Sequence, residues 1–347
     1  MPLPALPSLA TDHARIPWPR HVLAGCVRVA LDRLILAGLI LAGLVLPCAA
    51  AAGAGPGQPA PGPTADAIEV VDGGWGGGRP DEIRRVLAGV TAVFLPSAPG
   101  AGATLPLLRI RHRFGGPRIE YQRDRDGRVV IFLSARDERW YQYVYQFAHE
   151  YCHLLSHFDR KRQGEDIVRD HQWFEEALCE TASLYAVRRL ARQWCDAGAE
   201  PLLRRAAPQL VLYDRQLLGQ AHRQLADGAD MAQWYASHQD ALRSQPYLRE
   251  LNELAAAQLL PLFERDPWRW AALAFLNPVE PSPGLSFAGF LARWRNALPA
   301  GLQTLVAEIQ QLFGLGAPPA LPAPAHPAGV AVSAVPRPPD TAPGCGN

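Results

Sequence analysis

A short segment in the middle of the chain, residues 146–155, carries two histidines four residues apart, with a glutamate directly after the first. They are His149, Glu150 and His153. Side chains four apart on an α-helix lie one above the other on the same face. Both imidazoles can therefore reach one metal ion, at about 2.0–2.1 Å each if the ion is zinc. The spacing predicts a metal-binding helix against which the rest of the fold must pack a third ligand.

Glu150 is rotated by about 100° from His149 on such a helix. Its carboxylate would lie beside the metal and could take a proton from a metal-bound water. The apolar residues around it recur at helical spacing and form a broad stripe: Trp140, Val144, Phe147, Ala148, Tyr151, Leu154, Leu155 and Phe158. The stripe predicts a helix that continues through Phe158, with the histidines at its edge.

A second amphipathic helix is predicted over residues 172–183, where Glu176 and Glu180 lie four apart on one face. A catalytic zinc ion usually has three protein ligands and one open position. One of these glutamates could bind the metal, while the other accepts the second N–H of a ligating histidine and fixes its orientation. The spacing alone does not decide between them.

The two segments together, His149-Glu150-x-x-His153 and Trp173-Phe174-Glu175-Glu176-Ala177-Leu178-x-Glu180, resemble the gluzincin clan of zinc peptidases, which includes thermolysin-like and aminopeptidase-like enzymes. The resemblance covers about 40 residues. It implies Glu176 as the third zinc ligand and Glu180 as the residue that orients a ligating histidine. Ala177 stands where the aminopeptidase form has glycine, and no motif for an N-terminal amine is present, so aminopeptidase specificity is not supported.

Asp159 is the alternative third ligand, because His149-Glu-x-x-His153-x-x-Ser156-x-x-Asp159 approximates the metzincin pattern. That arrangement needs a sharp turn, normally at glycine, and here the position is Ser156. Glu176 is therefore preferred.

Charge and cysteine content limit the classes of function. With 34 Lys+Arg against 33 Asp+Glu, and Lys161 as the only lysine, nothing indicates a nucleic-acid surface. The six cysteines form no C-x-x-C pair, which argues against a cysteine-based zinc site. Cys152 and Cys179 would lie near the metal helices, either as a disulfide or as two small buried apolar residues.

Four regions are expected along the chain. Residues 1–50 contain thirteen uncharged apolar residues, 34–46, which suit a signal peptide better than a spanning helix; a retained membrane anchor is the alternative. Residues 51–66 are a Pro/Gly/Ala linker, and 316–347 are a disordered Pro/Ala tail. Residues 67–315 would form the catalytic domain, with an α/β part (67–135) and a helical part (136–315).

The predicted fold class is α+β: a small antiparallel sheet, then the zinc-binding helix pair, then a mainly helical subdomain. A helix is expected over 80–94, and strands over 105–114, 118–122 and 128–133, with a turn at 124–127. This order fits the resemblance, in which an edge strand precedes the zinc helix and could pair with an extended peptide. The sequence does not show which strand would do so. The resemblance also implies a downstream Tyr or His that stabilises the oxyanion; Tyr235 and His238 are the candidates, and Tyr213 and Tyr247 compete with them.

The resulting hypothesis is an exported, periplasmic or secreted zinc peptidase acting on peptides or proteins. One Zn²⁺ would be held by His149, His153 and Glu176, with Glu150 as general base. A different class of function, a zinc-stabilised envelope scaffold without activity, is the alternative.

Overall fold

The sheet and the metal helices belong to one continuous part of the chain. The computed structural model describes residues 67–94, 106–163, 166–196, 198–277 and 284–316, all within the compact unit Gln58–Asn347. The expected signal peptide or anchor, the 51–66 linker and the tail from residue 317 lie outside these residues. Among the described helices, none combines the length and apolarity required to cross a membrane.

Strands and helices alternate in the first half of the domain, and helices dominate the second half. The elements are β1 (Ile68–Val70), α1 (Pro80–Phe94), β2 (Leu108–His112), β3 (Arg118–Ile119), β4 (Val129–Leu133), α2 (Trp140–Leu155), β5 (Arg162–Gln163), β6 (Asp166–Ile167), α3 (Gln172–Trp194), α4 (Pro201–Leu218), α5 (Met231–Ser244), α6 (Arg249–Glu264), α7 (Phe287–Ala297) and α8 (Ala300–Leu312). Short 3₁₀ helices occupy Phe158–Lys161, Ala221–Arg223 and Pro267–Phe275. The predicted α+β class is confirmed.

The four-stranded sheet has the order β1-β2-β4-β3 and is mixed, so the prediction of an antiparallel sheet is corrected. β2 runs parallel to both β1 and β4, and only β3 pairs antiparallel to its neighbour. The reason is the connection: α1 carries the chain back between β1 and β2, which makes these strands parallel. Antiparallel β3 lies at the edge of the sheet, beside β4.

The core joins one face of the sheet to α1, α2 and α3. α3 is buried on nearly all sides, as expected for a central helix that packs against α2, α4 and α6. Small residues at its contact with α2 allow the two helices to approach closely, since the buried thiols of Cys152 and Cys179 meet there. Both thiols are free, so the expected disulfide alternative is not formed.

α2 ends earlier than the apolar stripe indicates. Its last residue is Leu155, Ser156 follows as the C-cap, and His157 adopts a left-handed conformation with φ 54°. Phe158 is buried, but it belongs to the next 3₁₀ helix. The apolar pattern thus extends beyond the end of α2, because the turn at His157 brings Phe158 back to the same core.

An aromatic cluster holds the start of α3. Trp173 packs on Tyr235 and Phe287 with ring centroids 5.9 and 4.9 Å apart, and Phe174 lies 5.0 Å from Phe287. Phe313 contacts the same group from the end of α8. The cluster joins α5, α7 and α8 to the start of α3, where Glu175 and Glu176 lie.

Enlarging Cys179 to leucine should separate α2 from α3. Adding volume to a filled core costs about 1–3 kcal/mol, and the shift would also move the candidate metal ligands predicted on the two helices apart. We expect Cys179→Leu to lower the free energy of unfolding by this amount, measured by denaturant titration, and to weaken metal binding. Cys179→Ala is the control and should bind metal as the parent does; equal metal binding by the leucine variant would contradict the prediction.

Candidate metal centre

Three side chains from α2 and α3 converge on one point. A ligand atom from each of His149, His153 and Glu176 lies within 4.8 Å of the other two, and this cluster could hold a metal ion. Nε2 of His149 is 3.3 Å from Oε2 of Glu176, and Nε2 of His153 is 3.6 Å from its Oε1. The two imidazole rings are 5.2 Å apart and steeply inclined, so both Nε2 atoms approach the carboxylate. The structure thus brings together the three residues predicted as metal ligands.

His153 is oriented by Glu175, a residue to which the sequence analysis assigned no role. Its Nδ1 lies 2.8 Å from Oε1 of Glu175, which leaves Nε2 for the metal. Ser156 donates its hydroxyl hydrogen to the same oxygen at 3.1 Å, and Asn277 donates to Oε2 at 3.1 Å. Lys161 forms a buried ion pair with Oε2. Glu175 is therefore a carboxylate with every oxygen engaged.

These contacts keep Glu175 ionised. Burial acts to raise the pKa of its carboxyl group, but the charges of Lys161 and His153 outweigh burial and hold the pKa well below its usual range. The result is an anion that accepts a hydrogen bond from the His153 imidazole near neutral pH. Such an acceptor fixes the ring orientation and raises the basicity of the ligating nitrogen.

Glu176 is positioned by Gln172, one helical turn earlier. The amide of Gln172 donates to Oε1 of Glu176 at 2.8 Å, and its own oxygen accepts from Lys161 at 2.7 Å. Burial opposes ionisation of Glu176, but the two histidines lower its pKa to about 2. Lys161, the only lysine in the chain, thus supports both glutamates.

Glu180 lies behind His149, as the predicted orienting residue, but beyond hydrogen-bond distance. Its Oε2 is 4.0 Å from Nδ1 of His149. Tyr145 donates its hydroxyl hydrogen to this carboxylate at 2.5 Å, and the buried guanidinium of Arg223 donates to Oε1 at 2.8 Å. Arg223 also pairs with Glu253 at 3.2 Å, so a second polar network lies on the His149 side.

Glu150 is buried beside the cluster, and the backbone of Ile119 in β3 lies near its carboxylate. Burial raises the pKa of this carboxyl group, while the neighbouring histidines lower it in part. A raised pKa suits a carboxylate that must accept and then release a proton. The edge strand β3 is therefore the one that lies next to the site, which the sequence left undecided.

An open cleft of about 220 Å³ leads to these residues. His149, Glu150, Glu176 and Glu180 line it together with Tyr247 and residues from the start of α6. The cluster is thus accessible to a ligand from one side while the Glu175 network closes it from behind.

Tyr235 and His238 do not reach the cleft. The ring of Tyr235 is buried among Trp173, Phe287 and Phe313, and His238 stacks on Trp234 with Nδ1 2.7 Å from that residue's carbonyl oxygen. Their position is set by the aromatic packing of α5 against α3. Tyr213 packs against Tyr141 and Tyr145 and is likewise absent from the lining. Of the four predicted oxyanion candidates, the cleft contains Tyr247.

Asp159 lies exposed in the 3₁₀ helix after α2 and outside the ligand cluster. The turn at His157 carries it away from the histidines. No sequence pattern indicated that Lys161, Gln172 and Asn277 would hold the two glutamates of the site in place. Glu175 had a weak signal, since consecutive glutamates on one helix are about 100° apart and can approach one histidine from two directions.

Removing the charge of Glu175 should weaken metal binding. Glu175→Gln leaves His153 with a neutral acceptor, and loss of such an orienting partner typically costs 10- to 100-fold in metal affinity. The measurement is metal affinity by competition with a chromophoric chelator. Ser156→Ala removes one neutral hydrogen bond to the same carboxylate and should cost about tenfold or less. The role of Glu175 would be disproved by parent-like affinity in Glu175→Gln.

Comparison of the chain with protein-family models, with curated proteins and with solved structures finds no match. The function of this site is therefore inferred from the chemistry of its own residues.

Proposed function

We propose that the protein is a zinc-dependent peptidase whose metal is held by His149, His153 and Glu176. The observation that carries the proposal is the convergence of these three ligand atoms in an open cleft, with the buried carboxylate of Glu150 beside them. Two imidazoles and one carboxylate are a ligand set typical of catalytic zinc.

The spacing of the ligand atoms suits zinc. Ligands about 2.1 Å from a tetrahedral ion are about 3.4 Å from each other. Nε2 of His149 is 3.3 Å from Oε2 of Glu176 and Nε2 of His153 is 3.6 Å from Oε1, so each imidazole lies at about this spacing from one carboxylate oxygen. Nδ1 of His153 is already engaged by Glu175, so the nitrogen facing the cluster is the free one. Zinc bound there would supply a Lewis acid and lower the pKa of a coordinated water towards about 7.

Glu150 would act as the general base. It accepts a proton from the attacking water and later delivers that proton to the amine of the leaving fragment. The backbone of Ile119 in β3 lies near this carboxylate and favours its charged form. Because β3 is an edge strand, an extended peptide could lie alongside it and bring its carbonyl group past Glu150.

Tyr247 is the proposed hydrogen-bond donor to the oxyanion. Its ring lines the cleft, and its side chain is partly exposed. Burial and the charge of Glu176 raise the pKa of the phenol, so it remains protonated and able to donate.

A zinc-stabilised scaffold without activity is the alternative function. The cleft and the buried Glu150 support hydrolysis instead, because a structural zinc site is closed by four protein ligands and needs no base. The apolar segment 34–46 supports export to the periplasm or outside the cell, with the anchor as its alternative.

Glu150→Gln should retain zinc and lose hydrolysis. The amide is similar in size to the carboxylate but cannot accept the proton, and general-base catalysis contributes about 10²–10⁴-fold in rate. Hydrolysis of a quenched-fluorophore peptide library would be compared between parent and variant, with zinc content measured in both.

Treatment with a chelator is the matched control for that comparison. The parent should lose activity on chelation and regain it when zinc is added. Undiminished cleavage by Glu150→Gln would refute its role as base, and cleavage insensitive to the chelator would refute the zinc mechanism.

Tyr247→Phe should reduce kcat with little change in KM, because the hydroxyl would bind the transition state more strongly than the substrate. Loss of one oxyanion donor typically lowers kcat by about 10²–10³-fold. Tyr235→Phe removes a hydroxyl outside the cleft and should leave kcat close to the parent value. An unchanged kcat in Tyr247→Phe would contradict the assignment of Tyr247 as the hydrogen-bond donor to the oxyanion.

A further inference from the structure

One wall of the cleft is built by the start of α6, and it carries a guanidinium that its ion pair engages only in part. Arg249, the first residue of the helix, has a side chain that is 58% exposed and lines the cleft. Its Nε donates to Oε1 of Glu253 at 2.5 Å. Within the described part of the chain, the two terminal nitrogens of its guanidinium have no hydrogen-bond partner. Arg249 can therefore offer a planar pair of donors to a ligand.

Asn252 places a buried acceptor on the same wall. The residue is 6% exposed and its Nδ2 donates to the carbonyl of Pro246 at 2.9 Å. Its Oδ1 is buried and has no partner in the described structure, although the residue lines the cleft. A buried acceptor without a donor costs free energy, and a bound N–H group would relieve that cost.

The helix terminus adds positive potential to this wall. Leu248 is the N-cap of α6, and no side chain caps the helix there. The backbone N–H groups of the first turn and the helix dipole both favour a negative group nearby. The positive potential of the helix terminus and the positive charge of Arg249 therefore favour the same kind of ligand group.

The two glutamates of this wall, Glu180 and Glu253, are both paired with other protein groups. Glu253 is engaged by Arg223, Arg249 and His222. Glu180 is engaged by Tyr145 and Arg223. This wall therefore presents the guanidinium of Arg249 and the neutral acceptor of Asn252 to a ligand, while its two carboxylates are already paired with protein groups.

We propose that this wall binds the free C-terminus of a peptide: Arg249 pairs with the terminal carboxylate and Asn252 Oδ1 accepts a backbone N–H close to it. The two side chains are three residues apart on α6 and so are neighbours on one helix face. One C-terminal residue carries both groups at comparably short spacing. This inference rests on the proposed peptidase function. It makes the reaction a carboxyl-terminal cleavage, in which water adds across a peptide bond near the end and releases a short fragment with a free amine.

The test uses N-acetylated pentapeptides made in two forms, as free acids and as C-terminal amides. Acetylation removes the N-terminal charge from both forms. The parent should hydrolyse the free acids with a kcat/KM about 10- to 100-fold higher than that of the amides, as expected for a charge-assisted hydrogen bond. Arg249→Gln should abolish this preference by losing activity on the acids, and Arg249→Lys should keep part of it.

Binding is measured separately, by calorimetry, on the zinc-loaded Glu150→Gln protein with the same two peptide forms. The free acids should bind at least tenfold more tightly, and the added change Arg249→Gln should remove the difference. Asn252→Ala should weaken both forms by a similar factor, since acids and amides share the N–H.

Equal treatment of acids and amides by the parent, in cleavage and in binding, would overturn the inference while leaving the peptidase function intact. A binding preference for acids with no hydrolysis of any peptide would support the wall's assignment but reject the peptidase function. A preference that survives Arg249→Gln would show that the carboxylate is bound elsewhere.

Discussion

The buried carboxylate of Glu175 is the interaction on which the site depends. It is engaged by His153 on α2, by Ser156 after that helix, by Lys161 in the 3₁₀ helix and by Asn277. A buried charge without partners is strongly destabilising. Separation of these four segments would therefore leave the charge of Glu175 without its partners. The same carboxylate orients the His153 imidazole in the cluster that could hold a metal ion. Structural cohesion and ligand orientation thus depend on one group.

Two polar networks support the histidine pair, one beside His153 and the other beside His149. The Glu175 network supports His153 and is closed by Lys161 and Gln172, which also reach Glu176. The network on the other side joins Tyr145, Glu180 and Arg223 behind His149. The first is buried behind the metal ligands, whereas the second borders the cleft at Tyr145 and Glu180. This division leaves one face of the cluster open to a ligand and keeps the other dry, where electrostatic interactions are stronger.

Much of the local structure followed from periodicity and turn residues. α1 occupies the predicted span Pro80–Phe94, with Pro80 in the first turn. β4 and the turn at Asp124–Gly127 also lie where they were predicted, because the side chain of Asp124 accepts from the backbone of Asp126 and Arg128, and Gly127 has φ 74°. These features depend on near neighbours in the chain, which a sequence displays directly. The parallel pairing of β2 with β1 and β4 was missed. Strand direction depends on the course of the connections, through α1 before β2 and through β3 after it, and no local pattern shows that course.

From the sequence, helical spacing indicated His149 and His153 as candidate metal ligands, because it places both on one face. The spacing left Glu176 and Glu180 open, and Glu176 was chosen as third ligand from the family resemblance. The sequence also determined that Glu150 lies beside the histidines. Only the tertiary structure decided that Glu175 orients His153, that Lys161 is part of the site, and that Tyr247 reaches the cleft while Tyr235 and His238 do not. Those assignments depend on contacts between residues far apart in the chain, and such contacts are set by the packing of whole helices and leave no spacing to recognise.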